Sequence, residues 1–279
     1  MANVLPRSKQ VAVVAALSEG CSMRSTSRMT GVDRETVGTI VARVGLGCLA
    51  LLDETMVDLP CTRLELDELW SFVGKKQKHV REGDAPSKGD CWTWLAIDAD
   101  TKLVPAFRVG KRTQDDARFF INDLAARLRT RAQISTDGLA AYVPAIRTAF
   151  GADGTDYAMV IKSFETESAG SGRYSPPKVT GVTKLPIFGE PVEELVSTSY
   201  AERMNLSVRM MGRRYTRLTN AFSKKLEQHV ASTALTLAAY NFVRTHKTLR
   251  CSPAMAAGVA STLWSTEDLV SAALDGVRP

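Results

Sequence analysis

From residue 63 the apolar pattern of the chain switches to period two. Leu64, Leu66, Trp70 and Phe72 fall on one side of an extended segment, with Glu65 and Asp67 on the other. Two more apolar runs, residues 91–97 and 102–109, are joined by the polar turn Asp98-Ala99-Asp100-Thr101, so three consecutive antiparallel strands are expected. The period then turns helical. Thr113 is placed to cap a helix to about residue 129, with Ala117, Phe120, Ile121, Leu124 and Leu128 as its stripe. A strand over 132–136 stops at Asp137-Gly138, a helix over 139–150 contains Pro144 as a kink point, and 157–163 reads as a fifth strand. Three strands followed by alternating helices and strands predict an α/β layout with a mixed sheet.

Ahead of the sheet the pattern is helical over 7–19, 23–30 and 34–44. Ser22 and Asp33 are the caps, and Gly20 and Gly31 the stops. This matches a helix-turn-helix with Val32 buried in the turn and Arg34, Glu35, Thr36 and Thr39 free to reach base edges. Residues 1–66 carry seven basic and seven acidic side chains, so a plain three-helix bundle accounts for the same pattern. Residues 45–59 read as a further linking helix ended by Pro60.

Positive charge is clustered rather than spread. Between residues 203 and 225 there are seven basic side chains (Arg203, Arg209, Arg213, Arg214, Arg217, Lys224 and Lys225) and no acid, a run suited to a polyanion. Residues 74–90 form a second basic segment, with Lys75, Lys76, Lys78, His79 and Arg81 in a Gly- and Pro-containing loop; a solvated loop explains it equally. The net charge of +6 agrees in sign. With 44% hydrophobic residues the chain is not disordered. Five scattered cysteines without a Cys-x-x-Cys pair argue against a disulfide framework or zinc site. Neither a signal sequence nor a membrane-length apolar run is apparent, and a cytosolic, reduced protein is expected.

A carboxylate heads the basic run. Glu202, Asn205 and Arg209 stand at i, i+3 and i+7 on one face of a helix opening near residue 199. Ser199 with Glu202 also fits a capping box, which needs no chemistry. Elsewhere, Asp67 lies in the first strand and Asp137 at the C-terminal end of the fourth. If those strands are neighbours, the two aspartates meet at the carboxyl edge of the sheet, with Glu202 packed against it. Three such oxygen donors suit Mg²⁺ or Mn²⁺, and a two-ion site activates a nucleophile in phosphoryl displacement. Turn chemistry at Asp137-Gly138 and surface charge at Asp67, beside Glu65 and Glu68, are the simpler readings of each aspartate alone. Glu68 is an understudy for Asp67, although it shares its side of the strand with the apolar residues.

The ordered set Asp67-Glu68-Leu69-Trp70, Trp94 to Asp98, Ser135-Thr136-Asp137-Gly138 with Tyr142, Tyr200-Ala201-Glu202-Arg203-Met204-Asn205 with Arg209, and Tyr240-Asn241 to His246 with Ser252-Pro253 resembles the DDE transposases of bacterial insertion sequences. Those related to the first-described short element look closest. The resemblance covers about residues 63–259. It implies an RNase H-like fold and Asp67, Asp137 and Glu202 as a catalytic triad binding two Mg²⁺ or Mn²⁺ ions. It also implies a DNA-contacting Arg209, cleavage and strand transfer at the element's ends, a dimer or larger assembly on double-stranded DNA, and a bacterial, cytoplasmic, nucleoid-associated protein without a membrane role. One departure is the lack of the cysteine zinc motif often found near the N-terminus of related transposases. Either the helix-turn-helix alone finds the ends, or the sequence is truncated.

The expected organisation is a helix-turn-helix region with linker helix over 1–60, an RNase H-like mixed sheet flanked by helices over 61–259 with a loop insertion at 165–196, and a tail over 260–279 with one short helix. Expected DNA contacts are Arg34, Thr36, Thr39, Lys75, Lys76, Lys78, Asn205, Arg209, Arg213 and Arg214. A nuclease without strand transfer and a non-catalytic DNA-binding regulator are the rival functions.

Overall fold

The computed structural model describes residues 5–151, 153–165, 178–216 and 220–279. The expectations for 166–177, Arg217 and Leu218 lie outside the described residues.

Three helices open the chain: α1 (Arg7–Ser18), α2 (Met23–Thr30) and α3 (Arg34–Thr55). Ser22 caps α2 by accepting from Ser25 N–H, and Asp33 caps α3 by accepting from Glu35 N–H at 2.7 Å, as the sequence predicted. The expected break near Gly45 is absent; α3 continues through 22 residues. A Cβ on Gly45 would lie 2.2 Å from the Ala231 carbonyl oxygen of α7 (Leu226–Ala238). One on Gly47 would lie 1.8 Å from that of Ala273 in α9 (Thr266–Asp275). These glycines admit two helices against α3 instead of ending it. By length and composition α3 could cross a bilayer, yet here it packs on α7 and α9. One core runs from Val13 through the sheet to Ala272, so N-terminal helices, sheet and tail are packed together.

Six strands form one mixed sheet: β1 (Arg63–Val73), β2 (Gly89–Asp98), β3 (Phe107–Gly110), β4 (Gln133–Thr136), β5 (Asp156–Glu165) and β6 (Lys178–Phe188), in the order β3-β2-β1-β4-β5-β6. β1 pairs antiparallel with β2 and parallel with β4, β4 is parallel to β5, and β6 returns antiparallel to β5. With helices on both faces this is the RNase H-like layout expected. Two boundaries differ from expectation. β3 begins at Phe107, not 102, and residues 178–188 form a strand where a loop was expected, because cross-strand pairing with β5 outweighs their Gly, Thr and Pro content.

The two faces of the sheet can be told apart by alternation along β2. Trp94 meets Tyr142 edge-on at 5.4 Å and Phe120 at 6.2 Å, which places α4 (Gln114–Arg127) and α5 (Tyr142–Phe150) on one face. Its neighbour Thr93 bonds the Tyr215 hydroxyl at 2.7 Å, which in turn bonds Thr233 of α7. The opposite face therefore carries α7 and α6 (Ser199–Met211). Pro144 sits in the first turn of α5, where its missing N–H costs no helix bond, so no kink arises. α8 (Pro253–Ala256) and α9 close the chain, the latter within the expected span and with a full capping box at Ser265 and Asp268.

Candidate active site

β1 is central, not an edge, and none of its residues is exposed. Register fixes what each carboxylate sees. Glu68 is opposite Trp94 and so faces α4 and α5, whereas Glu65 and Asp67, of the other parity, face α6. In β4, Thr136 is the last residue paired with β1, at Leu66. Asp137 follows at the position beside Asp67, and its Oδ1 accepts Leu139 N–H at 3.0 Å in an Asx turn that starts the departure from the sheet.

Oxygens of Asp67, Glu68 and Asp137 lie within 4.8 Å of one another. The predicted meeting of the two aspartates at the carboxyl edge of the sheet is thus present. Glu68 joins them. Its Oε1 accepts from Arg112 Nε at 2.7 Å and Nη2 at 2.5 Å, and its Oε2 from the Tyr142 hydroxyl at 3.2 Å. Burial, and then the charge of Asp137, push the Glu68 carboxyl above its ordinary value. Asp67 is raised to about 7, first by burial and further by Glu68, Asp137 and Glu202, while the Glu68 N–H on its Oδ1 works against the rise.

α6 is held to β1 by two side chains. Thr198, the residue before α6, makes no side-chain cap bond; instead Glu65 Oε2 accepts Tyr200 N–H at 2.7 Å and Ala201 N–H at 3.1 Å, satisfying two otherwise unpaired helix donors. A carboxylate at a helix N-terminus is also favoured by the helix dipole. One turn on, Asn205 Nδ2 donates to Asp67 Oδ2 at 2.7 Å. The expected Ser199–Glu202 capping box does not form. Glu202 bonds the Thr198 hydroxyl at 2.9 Å and pairs with Lys162 of β5. Its side chain is 48% exposed, and it stands outside the three-carboxylate group while its charge still acts on Asp67.

The expected DNA contacts divide. Arg34, Thr36, Lys76, Lys78 and Arg213 are exposed. Thr39 is exposed with its hydroxyl on the Glu35 carbonyl. Lys75 pairs with Asp84 at 2.7 Å, and Arg209 is half-buried on α6. Arg214 departs from expectation: it is drawn into the protein against Ser223 Oγ at 3.0 Å and Met23 Sδ, and burial lowers its pKa. Asn205 is turned inward, 93% buried by the complement of its 7% exposure. Sequence reasoning gave no role to Glu65, Arg112 or Lys162. Of these only Glu65 carried a signal, as a carboxylate beside the apolar positions of a strand.

A hard divalent cation fits this donor set. Three carboxylates gather with Arg112 paired to Glu68, and burial first, then the charges of Glu68, Asp137 and Glu202, raises the Asp67 carboxyl, so an added cation would favour its ionised form.

No protein-family model matches the chain, and no curated protein does. Among solved structures it is similar to the piggyBac transposase synaptic complex with hairpin DNA, at 12% identity and TM-score 0.41 over 96% of this chain and 69% of that one. It is also similar to the Mos1 transposase paired-end complex with left transposon end, at 14% identity and TM-score 0.23 over 56% of this chain and 60% of that one. A Mos1 mariner paired-end complex with Mn matches at 12% identity and TM-score 0.23, again over 56% of this chain and 60% of that one. The chain thus spans about three fifths of the Mos1 chains.

Proposed function

We propose that this chain is a DNA transposase of the DDE type, belonging with those of bacterial insertion sequences, which cuts DNA at the ends of its element and joins them to a target. The observation that carries this is the convergence of Asp67, Asp137 and Glu68 at the edge of the central strands, with Glu202 close enough to act on Asp67. The ordered motifs around these residues support it.

Asp67, Asp137 and Glu202, joined by Glu68, would hold two Mg²⁺ or Mn²⁺ ions. Such ions lower the pKa of an attacking water or 3′-hydroxyl and neutralise the leaving oxygen of an in-line displacement. The protein's own residues prepare the place. Glu65 fixes the start of α6, Asn205 orients Asp67, and Arg112 with Tyr142 hold Glu68 in one rotamer. Exposed Lys76, Lys78 and Arg213 would neutralise DNA phosphates, and the α2–α3 pair, with Arg34, Thr36 and Thr39 outward, would read the ends. Joining two ends calls for a dimer or larger assembly on the DNA.

Incubation of labelled duplex from either side of the gene with Mg²⁺ or EDTA tests this. Metal-dependent nicking at one defined position, followed by joined products, is expected, with both lost in Asp137→Asn. Nicking without joining would favour a nuclease, and binding without nicking a DNA-binding regulator.

A further inference from the structure

Asn205 has one amide and two unlike ends. Its Nδ2 donates to a carboxylate oxygen of Asp67, the orientation that ionised Asp67 requires, because a reversed amide would then set two acceptors together. Its Oδ1 is carried on the same amide carbon as the nitrogen that meets Asp67, one member of the Asp67, Glu68 and Asp137 group. That oxygen is buried and has no hydrogen-bond partner among the described residues, in a side chain only 7% exposed. A buried acceptor left without a donor is costly, on the order of 1–3 kcal/mol, and calls for an explanation. Helix propensity and packing supply none, and the bond to Asp67 accounts for the nitrogen of the amide but not for a buried oxygen beside it.

We propose that Asn205 belongs to the ion site and not to the DNA grip: its Oδ1 is the neutral oxygen that receives a hydrated divalent cation held by Asp67, Glu68 and Asp137, while its Nδ2 holds Asp67 in place. This rests on the ion-site reading above and assigns the residue's role within it. A water of the cation's hydration shell donates to Oδ1, or Oδ1 meets the cation itself; in either case the orphan acceptor is satisfied and positive charge is added to a cluster in which Arg112 pairs with Glu68. Through its Nδ2, Asn205 is also a positioning residue for Asp67. α6, anchored at its start by Glu65, carries that amide to the cluster.

Binding of Mn²⁺ alone, followed by the loss of its free-ion electron paramagnetic resonance signal, tests the assignment on the full chain without DNA. Asn205→Ala should weaken Mn²⁺ binding about 10- to 100-fold. Asn205→Asp keeps the oxygens and loses the donor; it should bind Mn²⁺ at least as tightly as wild type and yet melt lower in EDTA, where a fourth carboxylate faces the cluster. Unchanged affinity in Asn205→Ala would overturn the proposal. If that variant does not fold, a tenfold or greater weakening in Asn205→Asp would overturn it instead. Wild-type protein that binds no Mn²⁺ would remove the ion site itself, a result distinct from binding that ignores Asn205.

Discussion

Two polar clusters are buried along β1, centred on Ser71 and Asp67, four residues apart on one face, and they are built on opposite principles. Around Ser71 every group has a partner. The Ser71 hydroxyl donates to the Cys91 carbonyl at 3.0 Å and so accepts from His229 Nε2–H, while His229 Nδ1 accepts from the Ser223 hydroxyl at 2.8 Å, which accepts from Arg214. Burial holds the His229 imidazole neutral, with its pKa down at about 3. Around Asp67, four residues earlier, like charges crowd together and the Asn205 oxygen goes unpaired. A buried network satisfied within the chain specifies the fold; one left unsatisfied points to something the chain must bind.

That contrast can be broken experimentally, and the largest expected effect is on chemistry. Asp137→Asn should lower DNA cleavage roughly 10³-fold or more, about 4 kcal/mol at the barrier. It should also raise the melting temperature in EDTA, because one of the repelling charges is gone. A lower melting temperature would mean the cluster is structural like its neighbour. His229→Ala should do the reverse, costing about 2–4 kcal/mol of stability by denaturant titration and leaving Mn²⁺ affinity unchanged.

Glu65→Ala should cost about 2 kcal/mol, because two helix N–H groups lose their acceptor, whereas Glu65→Gln keeps an acceptor oxygen and should cost less. Equal losses in the two variants would show that the hydrogen bonds to Tyr200 and Ala201 are not what Glu65 contributes.

The smallest effect is on pH dependence, where the clusters have opposite signs. His229 has a folded pKa below its ordinary 6.5, so its contribution is present above that value and is lost as pH falls toward about 3. Asp67, raised from 3.8 to about 7, binds its proton more tightly when folded, so in EDTA its contribution falls as pH rises from 3.8 through 7. Melting curves from pH 4.5 to 8 should show Asp67→Asn more sensitive to acid than wild type. A stability difference between variant and wild type that does not grow as pH rises through this range would contradict the assignment.

Much of this fold was legible because its signals are local. The caps at Ser22, Asp33 and Thr113, the strand of Asp67 and the turn at Asp137 each follow from a few neighbouring residues. What escaped was decided across the chain. Gly45 looks like a stop until Ala231 is known to lie against it, and the 178–188 strand is called by its pairing with β5. Glu68 could be named only as an understudy, since its place among apolar residues gains meaning when Asp137 and Arg112 arrive from other elements. Glu65 reads as surface charge until α6 is seen to begin on it.

The most direct measurement is anomalous diffraction from crystals of this chain grown with Mn²⁺. A peak about 2.0–2.3 Å from carboxylate oxygens of Asp67 and Asp137, with the Asn205 amide beside it, is the expected result. A well-ordered cluster with no anomalous peak at millimolar Mn²⁺ would contradict the account.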